Sequence, residues 1–123
     1  MAGWTNDELD AIGAAEELTL ASARSDGTLR RPVTMWVVRH GEEIYVRSVN
    51  GRESSWFRGA RTRHEAQIRA GGVEQDVDLV ETDDVNDQVD AAYRTKYGPR
   101  YPSIVPSIVA PEARAATLTL VPR

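Results

Sequence analysis

The chain of 123 residues contains no cysteine. That excludes disulfides, thiolate metal sites, iron–sulfur clusters and a cysteine nucleophile. Lysine is almost as scarce: the 15 basic residues are all arginine except Lys96, a bias of the kind GC-rich genomes often show, which is a genetic argument and not a physical one. No apolar run is long enough to span a bilayer. The segment Met1 to Glu8 lacks the basic and apolar regions of a signal peptide, so a cytoplasmic protein is expected, with no membrane partner. A positive surplus is missing too. The net charge of −4 argues against a general nucleic-acid binder.

Common catalytic patterns are also absent. His40 and His64 stand apart, in a turn and at a strand start, outside any ligand motif such as H-E-x-x-H. Ser54 and Ser55 follow Gly51-Arg52-Glu53, which does not have the spacing of a nucleophile elbow. Neither a G-x-G-x-x-G loop nor a Walker A loop occurs. The acids Glu81, Asp83, Asp84 and Asp87 fall where a helix should start, and carboxylates serve there as caps and dipole partners. No metal site and no side-chain catalyst is therefore expected. An enzyme of this make-up needs a cofactor that carries the chemistry.

What is present is an ordinary globular composition, 41% hydrophobic and 28% charged, and a length that suits a single domain over residues 1–123. Thr5 and Glu8 form a capping box, with Trp4 and Leu9 placed as a hydrophobic staple, so a helix should run to about Glu16 or Glu17. Alternation predicts strands over 18–23, 32–39 and 44–47, with Asp26-Gly27 and Gly41 in the turns. In the second, Val33, Met35 and Val37 face one way and Trp36 and Val38 the other. Two further strands, 66–70 and 73–80, flank the hairpin signal Gly71-Gly72. A helix capped by Thr82 or Asp83 carries Val85, Val89, Ala92, Tyr93 and Tyr97 on one side and ends at Gly98-Pro99. A proline-punctuated stretch leads to a last strand at 117–121. Six strands with hairpin connections predict an antiparallel sheet that curls into a barrel.

Three stretches are candidates for holding a ligand. From Ser48 to Trp56 a strand end, an Asn50-Gly51 turn and a helix start offer backbone N–H groups and the hydroxyls of Ser48, Ser54 and Ser55, the makings of a phosphate seat. The bland alternative is a capped connecting helix whose Trp56 and Phe57 plug the barrel end. Arg30-Arg31-Pro32 puts two guanidinium groups at a strand mouth, as an anion clamp or as a solvated hairpin end. Tyr93 to Tyr101 alternates basic and aromatic residues, which fits cation–π packing over the barrel better than nucleic-acid stacking in so acidic a chain.

These residues together resemble the flavin- and deazaflavin-binding split β-barrel superfamily, related to pyridoxamine-phosphate oxidase, and within it the deazaflavin-dependent nitroreductase-like branch. The resemblance rests on Ser25, Gly27, Arg30 or Arg31 and Pro32, on Ser48, Gly51 and Trp56, on Gly71-Gly72, and on the ending Leu120-Val121-Pro122-Arg123. Nearly the whole chain is similar to a small uncharacterised bacterial domain family, through Tyr45-Val46-Arg47-Ser48, Gly51 to Trp56, Tyr93 to Gly98 and Thr117 to Arg123.

The resemblance implies a mainly β protein with α: a six-stranded antiparallel split β-barrel with an N-terminal helix, a short helix after strand three and a helix before the last strand. It implies a deazaflavin or FMN as cofactor and hydride transfer to a small oxidised substrate. The phosphate would sit near Arg30, Arg31, Pro32 and the loop from Arg47 through Ser48, Asn50, Gly51, Ser54 and Ser55 to Trp56, and the ring against Trp36 or Tyr45. A binding module without turnover, and an interaction barrel with a filled pocket, stand beside this reading. A homodimer sharing its pocket and a monomer are both open. Two departures stand out: Arg52 replaces a glycine of the branch, and Ser55 replaces a proline. Arg52 would either narrow the phosphate seat or supply its counter-charge.

Overall fold

The computed structural model describes residues 3–123. Helix α1 (Asn6–Ala14) opens with the expected capping box, in which the Thr5 hydroxyl accepts from the Glu8 N–H and the Glu8 carboxylate accepts from the Thr5 N–H. The Trp4 indole N–H donates to the carbonyl of Leu120, 3.0 Å away. The helix stops before Glu16: the backbone turns extended at Ala15, and strand β1 must begin at Leu18.

Seven strands follow, one more than the sequence pattern predicts. They are β1 (Leu18–Ser22), β2 (Val33–Met35), β3 (Val38–His40), β4 (Glu43–Arg47), β5 (Glu65–Ala70), β6 (Val73–Glu81) and β7 (Thr117–Pro122). All pairings are antiparallel, in the order β2-β1-β5-β6-β7-β4-β3. The extra strand arises because the run 32–39 breaks at Trp36-Val37. Its two halves become the opposite edges of the sheet, so these two residues carry the chain from one edge to the other and curl the sheet into a barrel that stays split.

The break is held from a distance. The Val37 N–H donates to the Tyr97 hydroxyl (3.1 Å), and the Lys96 ammonium donates to the Val37 carbonyl (2.7 Å). The single Tyr97 proton then goes to the carbonyl of Glu16, at 2.7 Å. Backbone groups that a ladder would have paired are thus satisfied by α3 (Asn86–Tyr97). That helix starts later than expected: Thr82 instead bonds Val80 and Thr119 at the end of β6, and Asn86 opens the helix without a side-chain cap.

Two apolar clusters result. Inside the barrel, Leu18, Leu20, Ile44, Val46, Ile68, Leu79, Leu118 and Leu120 meet Leu9 and Ile12 of α1 and Phe57 of α2 (Ser55–Ala60). Outside it, Val38 and Tyr45 pack under Val89, Tyr93 and Tyr97 of α3 and under α4 (Val105–Ile108) and α5 (Pro111–Arg114), two short helices in the proline-punctuated stretch. Gly71 makes the β5–β6 turn at φ 57°, and a Cβ there would lie 2.3 Å from the Ala11 carbonyl of α1. Only glycine lets the hairpin touch the helix. Among the described residues, no helix is long and apolar enough to cross a membrane.

Candidate functional site

The split leaves two strand edges facing outward. β2 pairs only with β1, and β4 loses β3 as a partner beyond Tyr45. Between these edges lies a cleft of about 310 Å³. β2 and the bend after it contribute Val33, Thr34, Met35 and Trp36, and the end of β4 and its loop contribute Arg47, Val49 and Asn50. Trp56 of α2 closes one end, and Ile104, Ser107 and Ile108 around α4 close the other. Trp36 is held flat against Tyr97, with ring centroids 4.0 Å apart and planes 4° apart. The lining is mostly apolar, and Val49 and Ile104 stay exposed, 44% and 51%, at the mouth.

Arg47 borders this cleft but has no donor to spare. Its Nε donates to the Thr117 hydroxyl (2.9 Å). Nη1 donates to the Asp90 carboxylate (2.5 Å) and the Ile108 carbonyl (3.1 Å). Nη2 donates to the backbone carbonyl and side-chain oxygen of Asn86, at 3.1 and 3.0 Å. All five guanidinium N–H groups are therefore used. The side chain is fully buried, and Tyr93 lies beneath the guanidinium at 5.6 Å. Burial raises the Tyr93 phenol above its ordinary pKa, and its hydroxyl makes no well-formed hydrogen bond among the described residues, although the Arg47 backbone N–H lies close enough to oppose the rise. Arg47 ties β4 to α3, α4 and β7, which makes it architecture rather than an anion site.

The loop from Ser48 to Trp56 is built around internal bonds. The hydroxyls of Ser48 and Ser54 lie 2.6 Å apart and share one hydrogen bond, in which the accepting hydroxyl keeps its own proton. Gly51 takes φ 80° and is buried against Glu112. Arg52 does not line the cleft. It reaches the opposite way, to Glu81 (2.9 Å) and the Ala115 carbonyl (3.1 Å), over the Phe57 ring. Burial draws the Glu81 carboxyl upward, but hydrogen bonds from His64 and Arg52 and the charges of Arg52 and Arg61 outweigh it and hold its pKa below the ordinary value. Ser55 is exposed at the start of α2. Of the two aromatics at this helix, Phe57 plugs the barrel and Trp56 faces the cleft.

The remaining candidates separate. Arg30 donates from Nη1 to the carbonyls of Ala23 (2.9 Å) and Gly59 (3.2 Å), pinning the β1–β2 connection to α2. Pro32 lies on the outer face of the sheet, along a furrow beside Gln67 and Arg69. Tyr45 is buried under α3, which raises its phenol pKa. Arg31 is exposed and makes no hydrogen bond or ion pair among the described residues. The cleft thus gathers Trp36, Arg47, Asn50 and Trp56, with Ser48 and Ser54 bonded to each other in the adjoining loop. It also uses Val33, Thr34, Met35, Val49, Ile104, Ser107 and Ile108, which pattern reasoning missed. The Ile104/Ile108 spacing of one helical turn was the available signal. Among the described residues, no group of three or more His, Asp or Glu side chains is placed to hold a metal ion.

A sheet split between β2 and β4, with helices at its ends and across one face, defines a split β-barrel. Solved structures share it. A heme storage protein of Vibrio cholerae, HutZ, matches with TM-score 0.64 at 16% identity over 93% of this chain and 86% of its own. An FAD-binding protein of Mesorhizobium loti matches with TM-score 0.62 at 17% identity, over 99% and 92%. An F420-H2 dependent reductase matches with TM-score 0.62 at 13% identity, over 86% and 93%. At such identities the likeness shows the fold. No curated protein matches the sequence. The chain belongs to the bacterial family DUF2255, described as "Uncharacterized protein conserved in bacteria", which matches residues 8–120.

Proposed function

We propose that the cleft between β2 and β4 binds the ring of a deazaflavin or FMN, and that the protein is a reductase passing hydride to a small oxidised substrate. One observation carries the reading. An apolar slot flanked by Trp36 and Trp56 lies between two strand edges whose backbone groups no neighbouring strand takes up. Such a slot suits a flat ring with a hydrogen-bonding rim: aromatic walls take its faces, and backbone N–H and C=O groups take its edge. The likeness to an F420-H2 dependent reductase and an FAD-binding protein supports this class of ligand. A volume of about 310 Å³ is at the small end for ligand sites. It holds a ring and leaves a phosphate or longer tail outside.

Of the arginines named in the sequence pattern, Arg30 and Arg47 are engaged within the fold. Arg31 makes no hydrogen bond or ion pair among the described residues, so it is the first candidate for that tail. Arg31 lies three residues from Thr34 along the strand that walls the cleft, about 10 Å at the usual rise. When bound, the cofactor supplies the hydride chemistry. The protein's residues orient the ring and exclude water from one of its faces. The cleft offers Thr34, Asn50 and Ser107 as polar side chains and no ionisable group with a free proton, so a proton for the reduced product comes from solvent at the mouth. The same lack favours a second reading, a carrier that holds the cofactor without turnover.

The test is a titration of the protein with FMN, FAD and F420, followed by tryptophan and cofactor fluorescence. Saturable binding of one at micromolar levels, weakened tenfold or more by Trp56→Ala, is the expected result. No binding of any of the three removes the reading. Bound F420-H2 that is never reoxidised by nitro or quinone acceptors leaves the carrier.

A further inference from the structure

A second cavity lies on the other side of the bend at Trp36-Val37. It is a groove of about 640 Å³ between α1 and α3, floored by Val38, Arg39 and His40 of β3. Small residues, Gly13 and Ala14 of α1 and Ala91 and Ala92 of α3, keep it open, and Lys96 lines it. Lys96 is the single lysine of a chain that uses arginine at every other basic position. Its bond to the Val37 carbonyl does not explain the choice, since a guanidinium also donates to carbonyls. What an arginine cannot do is give up its proton.

We propose that Lys96 is a covalent docking point for a small keto acid or aldehyde acid held in this groove. The Nζ lone pair attacks the carbonyl carbon and forms a C–N bond. The resulting carbinolamine loses its oxygen as water, which carries off both amine protons, and an imine remains. No oxidant or reductant is consumed.

Three features of the groove support the assignment. Nζ is half buried, and no carboxylate lies within ion-pair distance of it among the described residues. Burial therefore lowers its pKa to about 8, against a weaker upward pull from Glu16. Compared with an ordinary lysine, roughly a hundredfold more amine is free near neutral pH. The surrounding charges are otherwise settled: Asp10 of α1 pairs with Arg39 (2.7 Å), Glu16 pairs with Arg100, and burial pushes the Tyr97 phenol up to about 12, so it stays neutral. Among the described residues Arg39 keeps one uncommitted nitrogen: Nε donates to the Gly41 carbonyl and Nη1 to Asp10, which leaves Nη2 for the ligand's carboxylate.

The experiment treats the native protein with glyoxylate and cyanoborohydride, which traps an imine by hydride addition, and maps adducts by peptide mass spectrometry. The α-amino group is the competing amine and falls in a different peptide. Lys96 is expected to label at least about tenfold faster in the native protein than in guanidinium chloride at pH 7.5, in line with its freer amine. Arg39→Gln should slow labelling by glyoxylate more than labelling by acetaldehyde, and Lys96→Arg should remove the adduct while keeping the fold. An unlabelled Lys96, labelling no faster than in the unfolded chain, or equal slowing of both aldehydes by Arg39→Gln overturns the proposal.

Discussion

The Arg47 knot and the cleft beside it meet at one strand end, yet they are built on opposite terms. In the knot, a buried guanidinium has every N–H matched by an oxygen drawn from β7, α3 and α4. In the cleft, two strand edges run past each other without pairing, and two tryptophans stand over them. A saturated polar network is stiff and offers nothing to a ligand. Unused backbone groups beside aromatic walls offer a great deal. Arginine content alone points to the knot, where no guanidinium N–H is free.

The sharpest way to break the comparison is to unbalance the knot. Asp90→Ala leaves the Arg47 charge buried with its carboxylate gone. Breaking a buried pair in this way costs about 3–5 kcal/mol, which would show as a large fall in the urea midpoint. A joint Arg47→Met, Asp90→Leu replacement strands no charge but leaves the Ile108 and Asn86 carbonyls without their donor, so it should cost less than Asp90→Ala by the stranded charge alone. A smaller loss for the single variant than for the double would mean the pair is not the tie described here.

Next come two tyrosines one helical turn apart on α3. Tyr97 bridges Val37 and Glu16 through its hydroxyl, whereas the buried Tyr93 hydroxyl has no well-formed partner among the described residues. Tyr97→Phe should cost about 1–3 kcal/mol, because a buried N–H and a carbonyl lose their match. Tyr93→Phe should be neutral or stabilise by about 1 kcal/mol, since it removes an unpaired polar group. Paired chemical denaturation curves decide it, and equal effects of the two variants would erase the distinction.

The same contrast explains what was legible in the sequence. Hairpins such as Gly71-Gly72, and the capping box at Thr5, are local chemistry and read directly. The inside–outside alternation of 32–39 also reads correctly, for Met35 and Val37 do join the inner cluster and Trp36 and Val38 the outer one. The bend at Trp36-Val37 leaves no mark in that alternation, because the groups that hold it, Lys96 and Tyr97, come from far along the chain. The resemblance places Arg47 in the phosphate seat, whereas its burial depends on Asn86, Asp90 and Thr117, which lie far along the chain. Pro106 and Pro111 read as punctuation, but proline also sits well in the first turn of a helix. There they begin α4 and α5. Ile104, Ser107 and Ile108, which close the cleft, were hidden with them.

Arg31→Ala is the smallest perturbation of the fold and the most informative one at the cleft. The side chain is exposed and unpaired among the described residues, so stability should change by less than about 0.5 kcal/mol. If Arg31 meets the anionic tail of a ligand whose ring lies between Trp36 and Trp56, the lost charge-assisted bond is worth about 1.5–3 kcal/mol. Affinity for FMN or F420 should then fall tenfold or more at low salt, and less at high salt, where an exposed charge is screened. A riboflavin control lacks the phosphate and should bind the variant and the parent alike. Equal loss for riboflavin and FMN would mean that Arg31 shapes the cleft wall rather than reading the tail. No loss for either would leave the tail to a cation elsewhere, with Arg58, exposed on α2, the next to replace.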